Sequence, residues 1–145
     1  MDHLATAFLE MSREQQRQVH LRLLQRAEAI WEQYFPAGSE LQYQESAVGT
    51  RQELDVLLPH EALVAVRDGC DPAGIEIRYR EPITSLHDRD LKLPDAAEFA
   101  YYAIYNAFRL YVLGQKVDPW LIVNQSLSAL GQDQAASALA VAVGG

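Results

Sequence analysis

Residues 96–113 contain so few strongly polar side chains that they predict a buried central helix. Six polar and aromatic side chains lie on one side of this predicted helix. At about 100° per residue the six fall within an arc of about 140°. They are Glu98, Tyr101, Tyr102, Tyr105, Asn106 and Arg109, here called the Tyr/Arg stripe. Tyrosine and arginine carry much of the binding energy at protein interfaces, because each joins a large contact area to a polar tip. The stripe predicts a binding surface or a pocket lining. The alternative is that the stripe is the exposed edge of its helix, or that it packs beneath the helix of Trp120 with its polar tips in water. Arg109 would then have a structural role, paired with Asn106 or with Glu98.

The segment at residues 85–90, with the sequence SLHDRD, comes nearest to a catalytic or metal-binding constellation. A loop that carries histidine and carboxylates can bind a divalent metal or orient a general base. However, His87 and Asp88 are adjacent, and nothing else in the sequence points at them with ligand spacing. This favours a solvated charged loop. Of the other histidines, His20 is expected to be a packed residue of its helix, and His3 and His60 belong to no constellation.

Motifs of the large enzyme families are absent. The sequence contains no glycine-rich phosphate-binding loop, no His-Glu-x-x-His zinc motif and no Gly-x-Ser-x-Gly elbow. Its single cysteine, Cys70, can form neither an intramolecular disulfide nor a thiolate cluster, and no nearby base marks it as a nucleophile. We therefore expect no catalytic residue, no metal and no cofactor.

The charge of the chain is unevenly distributed, which bears on its partner. The formal net charge is −8, and residues 36–98 hold thirteen acidic and six basic residues. Phosphate backbones require clustered basic residues, and Lys92 and Lys116 are the only lysines. Nucleic acid is therefore not an expected partner, whereas a basic protein is, because complementary potentials steer association. The alternative is that the acidity only keeps the protein soluble.

Length and composition predict a single soluble domain over residues 1–145. The chain is 49% hydrophobic and 22% charged, which is ordinary globular usage, and its length suffices for a sizeable core. The N-terminus lacks a basic region and reaches Glu10 before any long apolar run, so no signal peptide is expected. No segment approaches the roughly 18 consecutive apolar residues of a membrane span. We expect a cytoplasmic protein with no membrane partner.

Capping residues and apolar spacing predict two helices near the N-terminus. Ser12 and Gln15 have the form of a capping box. An apolar stripe follows them as far as Tyr34, and Pro36 ends the run. Residues 3–11 are expected to form a shorter helix before it.

The same signals predict helices in the last third of the chain. Asp95 with Glu98 is an aspartate version of the capping box at the start of the central helix. Asp118, followed by proline, caps a further helix that Gly131 ends. The alanine-rich tail, residues 132–145, is expected to be a frayed helix.

The middle of the chain changes to an alternating period, which predicts strands. Residues 75–80 alternate apolar and charged side chains and give the clearest strand, residues 54–58 a second, and residues 41–43 a weaker one. If the first two pair, acidic and basic side chains face one another: Glu53 and Asp55 opposite Arg78 and Arg80. Residues 60–68 fit a helix better than a strand, and residues 82–94 are expected to be a loop. The order of elements predicts an α+β fold: N-terminal helices, an antiparallel sheet of about three strands, then the central helix and a C-terminal helix packed on the sheet.

These observations favour a non-enzymatic protein-binding protein that recognises its partner through its acidic segment and its Tyr/Arg stripe. In size, acidity and lack of catalytic motifs the chain is similar to bacterial immunity and antitoxin-type inhibitors. This similarity lies in composition, covers no specific motif, and implies an inhibitor of a toxin or enzyme.

Two alternatives remain open. One is a small-ligand-binding protein or enzyme with a pocket between sheet and central helix, where stripe residues orient the ligand and His87 or Asp88 acts as acid or base. The other is a structural homo-oligomer whose self-interface is the stripe, or Leu121 with Ile122.

Overall fold

The computed structural model describes residues 2–44, 49, 51–69 and 71–144. These residues form seven helices: α1 (Asp2–Leu9), α2 (Arg13–Tyr34), α3 (Leu58–Asp68), α4 (Ala73–His87), α5 (Asp95–Tyr111), α6 (Pro119–Leu130) and α7 (Gln132–Gly144). Two strands, β1 (Leu41–Gln44) and β2 (Arg51–Leu54), pair antiparallel, with Leu41 opposite Leu54. The described part of the chain is therefore mostly helical with one small sheet. The predicted α+β class is confirmed only in this coarse form.

The strand predicted at residues 75–80 is wrong, because these residues belong to α4. Ile75 and Tyr79, one helical turn apart, are buried, whereas Ile77 between them is 62% exposed. The buried positions continue at Pro82 and Leu86, so the true period of this segment is helical. The loop predicted for residues 82–94 therefore begins only after His87.

The strand predicted at residues 54–58 is only partly right. β2 ends at Leu54, and Leu58 begins α3. The proline that follows Leu58 lies in the first turn of α3, where its missing N–H breaks no helical hydrogen bond. The helix predicted for residues 60–68 is confirmed.

Arg78 does meet one of the predicted acidic partners, but from a helix and not across a sheet. Its guanidinium on α4 lies 3.0 Å from the Asp55 carboxylate and 2.7 Å from that of Glu61. All three side chains are well exposed, so this arrangement contributes little to stability.

Helix α5 is the centre of the packing. It packs against α2, α3 and α6, and Ala100, Ala103 and Ala107 on its buried side let these neighbours approach closely. Helix α6 packs chiefly on α5 and α2, and α7 chiefly on α6 and α2, so the predicted packing of a C-terminal helix on the sheet is not their main contact. A second apolar cluster joins α1, α2, α6 and α7, and its fully buried members include Phe8 and Leu139.

Three arginines of α2 bind carbonyl groups at the C-terminal ends of three other helices. The contacts are Arg13 to Leu110 O of α5 (3.4 Å), Arg17 to Val66 O and Arg67 O of α3 (3.0 and 2.8 Å), and Arg22 to Ala142 O of α7 (2.8 Å). Helix C-termini leave carbonyls without helical partners and carry partial negative charge. Guanidinium groups therefore stabilise these ends and fix α2 against them.

The capping predictions are confirmed at two helices and wrong at a third. Ser12 and Gln15 form the complete capping box of α2, and Asp118 accepts a backbone N–H of the first turn of α6 at 3.0 Å. At α5 the N-cap position belongs to Pro94, and Asp95 is the first helical residue, with no side-chain cap bond.

The helix predicted at residues 132–145, which was expected to be frayed, is present as α7 as far as Gly144. Leu139 is fully buried in the second apolar cluster, which explains why an alanine-rich segment is helical here. None of the helices in the described ranges combines the length and apolar character needed to cross a bilayer.

Candidate functional site

The Tyr/Arg stripe divides into a buried pair and a partly exposed row. Tyr101 and Asn106 are 0% and 5% exposed. The other four residues are partly exposed and follow one another at i, i+4, i+7 and i+11, the spacing of a single line along a helix. They are Glu98, Tyr102, Tyr105 and Arg109, and together we call them the α5 row. The structure thus brings four of the six predicted residues to the surface and leaves two in the core.

Tyr101 packs in the core among other aromatic rings. Its ring lies 5.1 Å from that of Trp31 and 4.9 Å from that of Tyr79. The hydroxyl groups of Tyr79 and Tyr101 have no hydrogen-bond partner among the described residues. Burial raises the pKa of both phenols well above the ordinary value, so both remain neutral core residues.

Both tyrosines of the α5 row are held in place by neighbouring rings. His87, at the end of α4, stacks on Tyr102 with ring centres 5.8 Å apart and an interplanar angle of 24°. Tyr79 packs on Tyr105 at 4.8 Å, and the guanidinium of Arg109 lies 5.7 Å from the centre of the Tyr105 ring. Side chains fixed in this way lose little rotamer freedom when a partner binds.

Arg109 is tied into a polar network that joins α5 to α6. It donates to Asn106 Oδ1 at 3.1 Å and to Gln115 Oε1 at 2.8 Å. Asn106 in turn donates from Nδ2 to Gln125 Oε1 on α6, at 2.8 Å. The pairing of Arg109 with Asn106, which the sequence analysis weighed as a structural role, is therefore real. It also orients the guanidinium at the surface.

The N-terminal end of the α5 row is acidic. Asp95, three residues before Glu98 in the chain, is exposed. Burial, followed by the charge of Asp95, raises the pKa of Glu98, while Arg89 and then His87 act in the opposite direction. The α5 row therefore runs from carboxylates at one end to a guanidinium at the other.

The segment at residues 85–90 begins with the last three residues of α4 and contributes to this surface. Its Ser85 is buried, and the Ser85 carbonyl accepts the backbone N–H groups of Asp90 and Leu91 at 2.9 and 3.2 Å. His87 serves as the stacking partner of Tyr102.

A second polar cluster lies where α2 meets α3, and the sequence analysis missed it. Glu28 and Glu32 are one turn apart on α2, and His60 is in the first turn of α3. Each of the three residues offers one possible ligand atom, and these three atoms lie within 4.8 Å of one another. Among the described residues, this group of side chains could hold a metal ion, and we call it the α2–α3 cluster. The available signal was the i, i+4 spacing of the glutamates; their approach to His60 depends on tertiary packing.

Comparison with known proteins assigns no relative: no family model matches the chain, and neither a curated protein nor a solved structure matches it. Cys70, for which the sequence suggests no role, lies outside the described residues. The chemistry of the α5 row and of the α2–α3 cluster is therefore the basis on which function is inferred.

Proposed function

We propose that this chain is a non-enzymatic protein-binding protein that recognises its partner through the α5 row. The observation that carries the proposal is the row itself. Two partly exposed tyrosines and an arginine lie in one line along α5, and each is held by a ring or hydrogen-bond contact. Tyrosine and arginine are the residues most enriched at interface hot spots, and fixed side chains reduce the entropic cost of binding.

The charge around the α5 row favours a basic partner. Asp95 is exposed, and its charge acts on the nearby Glu98 carboxyl; both lie within the residue range that holds most of the acidic excess of the chain. Lysine and arginine side chains of a partner would meet these carboxylates, and a partner carboxylate would meet Arg109. An inhibitor that covers a basic toxin or enzyme is the specific form of binding protein that we propose.

A small-ligand site on the same helix has less support. Four of the pockets among the described residues have volumes of about 340–450 Å³, and none of these four is lined by Tyr102, Tyr105 or Arg109. Small-molecule sites are concave, whereas a line of partly exposed tyrosine and arginine side chains suits contact with a protein partner.

Affinity capture from a lysate of the source organism tests the proposal, with wild type compared against Tyr102→Ala/Arg109→Ala. Tyr105 is kept in this variant because it packs on the buried Tyr79. The matched control is Tyr34→Ala/Arg26→Ala, which removes the same two residue types from exposed positions on α2. We expect one protein, retained in stoichiometric amount by wild type and control and lost by the α5 row variant.

Equal retention by both variants, or capture of no protein by any of the three, would contradict the proposal. Light scattering on the purified chain distinguishes the homo-oligomer alternative from binding of a different protein. We expect a monomer, whereas a dimer that dissociates in the α5 row variant would make the row a self-interface.

A further inference from the structure

The α2–α3 cluster offers three donors of the kind that bind transition metals. Two carboxylates and one imidazole, from Glu28, Glu32 and His60, converge from two different helices. In zinc sites the metal lies about 2.0–2.2 Å from nitrogen and carboxylate oxygen donors, which places neighbouring donors about 3.0–3.6 Å apart. The donor atoms here lie within 4.8 Å of one another, and His60 Nδ1 is already 3.1 Å from Glu28 Oε1. The separation of the His60 and Glu28 donors therefore already lies in the range of a zinc site.

Glu28 provides a second observation that points to a cation. Its side chain is 16% exposed, and its Oε2 atom is buried without a hydrogen-bond partner among the described residues. A buried carboxylate oxygen without a donor is costly, and a second carboxylate one turn along the helix adds repulsion. A bound cation would satisfy the oxygen and neutralise the pair.

The relative position of α2 and α3 is set by a buried residue between the two glutamates. Trp31 is 1% exposed, and its Nε1 donates to the carbonyl oxygen of Val56 at 2.8 Å. Val56 lies two residues before the start of α3, so this bond fixes the approach of His60 to α2. The three donors are therefore carried by regular helices and not by a free loop, as a preorganised site requires.

The same three residues line a pocket of about 340 Å³, so a bound ion would remain reachable. The rest of the lining is largely apolar and comprises Trp31, Phe35, Pro36, Ala37, Val56 and Leu57. Three protein ligands leave at least one coordination position for water or an anionic oxygen.

We propose that Glu28, Glu32 and His60 bind one divalent transition-metal ion, for which Zn²⁺ is the representative, and that the ion links α2 to α3. A mixed nitrogen and carboxylate set favours such an ion, whereas Mg²⁺ prefers oxygen donors and keeps most of its water. The site is separate from the α5 row and does not depend on the function proposed for it.

Calorimetric titration of the full chain with Zn²⁺ tests this site. The protein carries no histidine tag, and the Cys70→Ser substitution removes the one thiol that would compete for zinc. We expect one ion per chain, and Mg²⁺ should not displace it. Glu32→Gln and His60→Ala should each weaken binding at least about tenfold, because even substitutions outside the ligand set cost about 10–100-fold in metal affinity.

Matched controls remove the same residue types elsewhere. Glu14→Gln changes another exposed glutamate of α2, and His3→Ala changes another exposed histidine, on α1; both should bind Zn²⁺ like the parent. Circular dichroism checks that each variant is folded. Stoichiometric binding that is unchanged by His60→Ala and Glu32→Gln would overturn the proposal, as would the absence of one-to-one binding in the folded parent.

Nitrogen NMR of the histidine rings gives a readout that a purely structural role of His60 would not change. Zn²⁺ should shift the ring nitrogens of His60 and leave those of His87 in place. A response at His3 or His87 in place of His60 would mean surface binding only and would overturn the proposal.

Discussion

At the scale of single residues, His20 shows how a buried polar group joins three helices. It is fully buried, with Nδ1 2.6 Å from the Tyr111 hydroxyl and Nε2 2.9 Å from the carbonyl oxygen of Pro119. A carbonyl only accepts, so Nε2 carries the proton and donates, and Nδ1 accepts from Tyr111. Burial lowers the His20 pKa to about 4, although the bond to Pro119 acts in the opposite direction. The neutral ring thus connects α2, the end of α5 and the start of α6.

This pKa predicts a loss of stability in mild acid. The unfolded chain takes up the His20 proton near the ordinary pKa of 6.5, whereas the folded chain does so near 4. The stabilisation is therefore complete above pH 6.5 and falls as the pH drops towards 4, by about 3 kcal/mol in total. Urea unfolding of wild type and of His20→Gln at several pH values between 4 and 6.5 measures this loss of stability. The variant should lose less stability than wild type, and parallel pH profiles would contradict the assignment.

At the scale of elements, α4 shows why local alternation is an ambiguous signal. Ile75, Ile77 and Tyr79 alternate with charged residues over a stretch too short to separate a period of two from a helical period. A longer window contains the helical pattern, since Ile75, Tyr79, Pro82 and Leu86 are all buried. Pro82 concealed it, because proline inside a helix is uncommon. By contrast, α2 and α6 were predictable because a side-chain cap precedes a long apolar stripe in both.

The arginine contacts of α2 give the prediction at this scale. Arg17→Met keeps most of the side-chain length but removes both bonds to the last carbonyls of α3. We expect the free energy of unfolding to fall by about 1–2 kcal/mol in chemical denaturation, since these are charge-assisted bonds at a helix C-terminus.

Arg80→Met is the control for this measurement. Arg80 belongs to an exposed i, i+4 pair with Glu76, and its loss should cost only a few tenths of a kcal/mol. If Arg17→Met and Arg80→Met had equally small effects, the anchoring role of α2 would be refuted.

At the scale of the whole molecule, contacts between segments that are distant in the chain could not be predicted from the sequence. The helical wheel of α5 placed the six residues of the Tyr/Arg stripe on one side of the helix, but it could not show that Tyr101 and Asn106 are buried while the α5 row is partly exposed. That division depends on Trp31 and Tyr79, which pack on Tyr101 from α2 and α4. Likewise, the closeness of Glu28 and His60 has no local signature, because the two residues come from different helices.

The central claim is that the α5 row contacts a partner protein, and site-specific photocrosslinking tests it most directly. The photoreactive residue p-benzoylphenylalanine replaces Tyr102, where it preserves an aromatic ring beside His87, and in a parallel sample it replaces the exposed Tyr34 of α2. Both proteins are irradiated in a lysate of the source organism. We predict that the probe at position 102 forms one dominant crosslink, to a basic protein, and that the probe at position 34 does not. No crosslink at position 102, or the same set of proteins from both positions, would contradict a binding role for the α5 row.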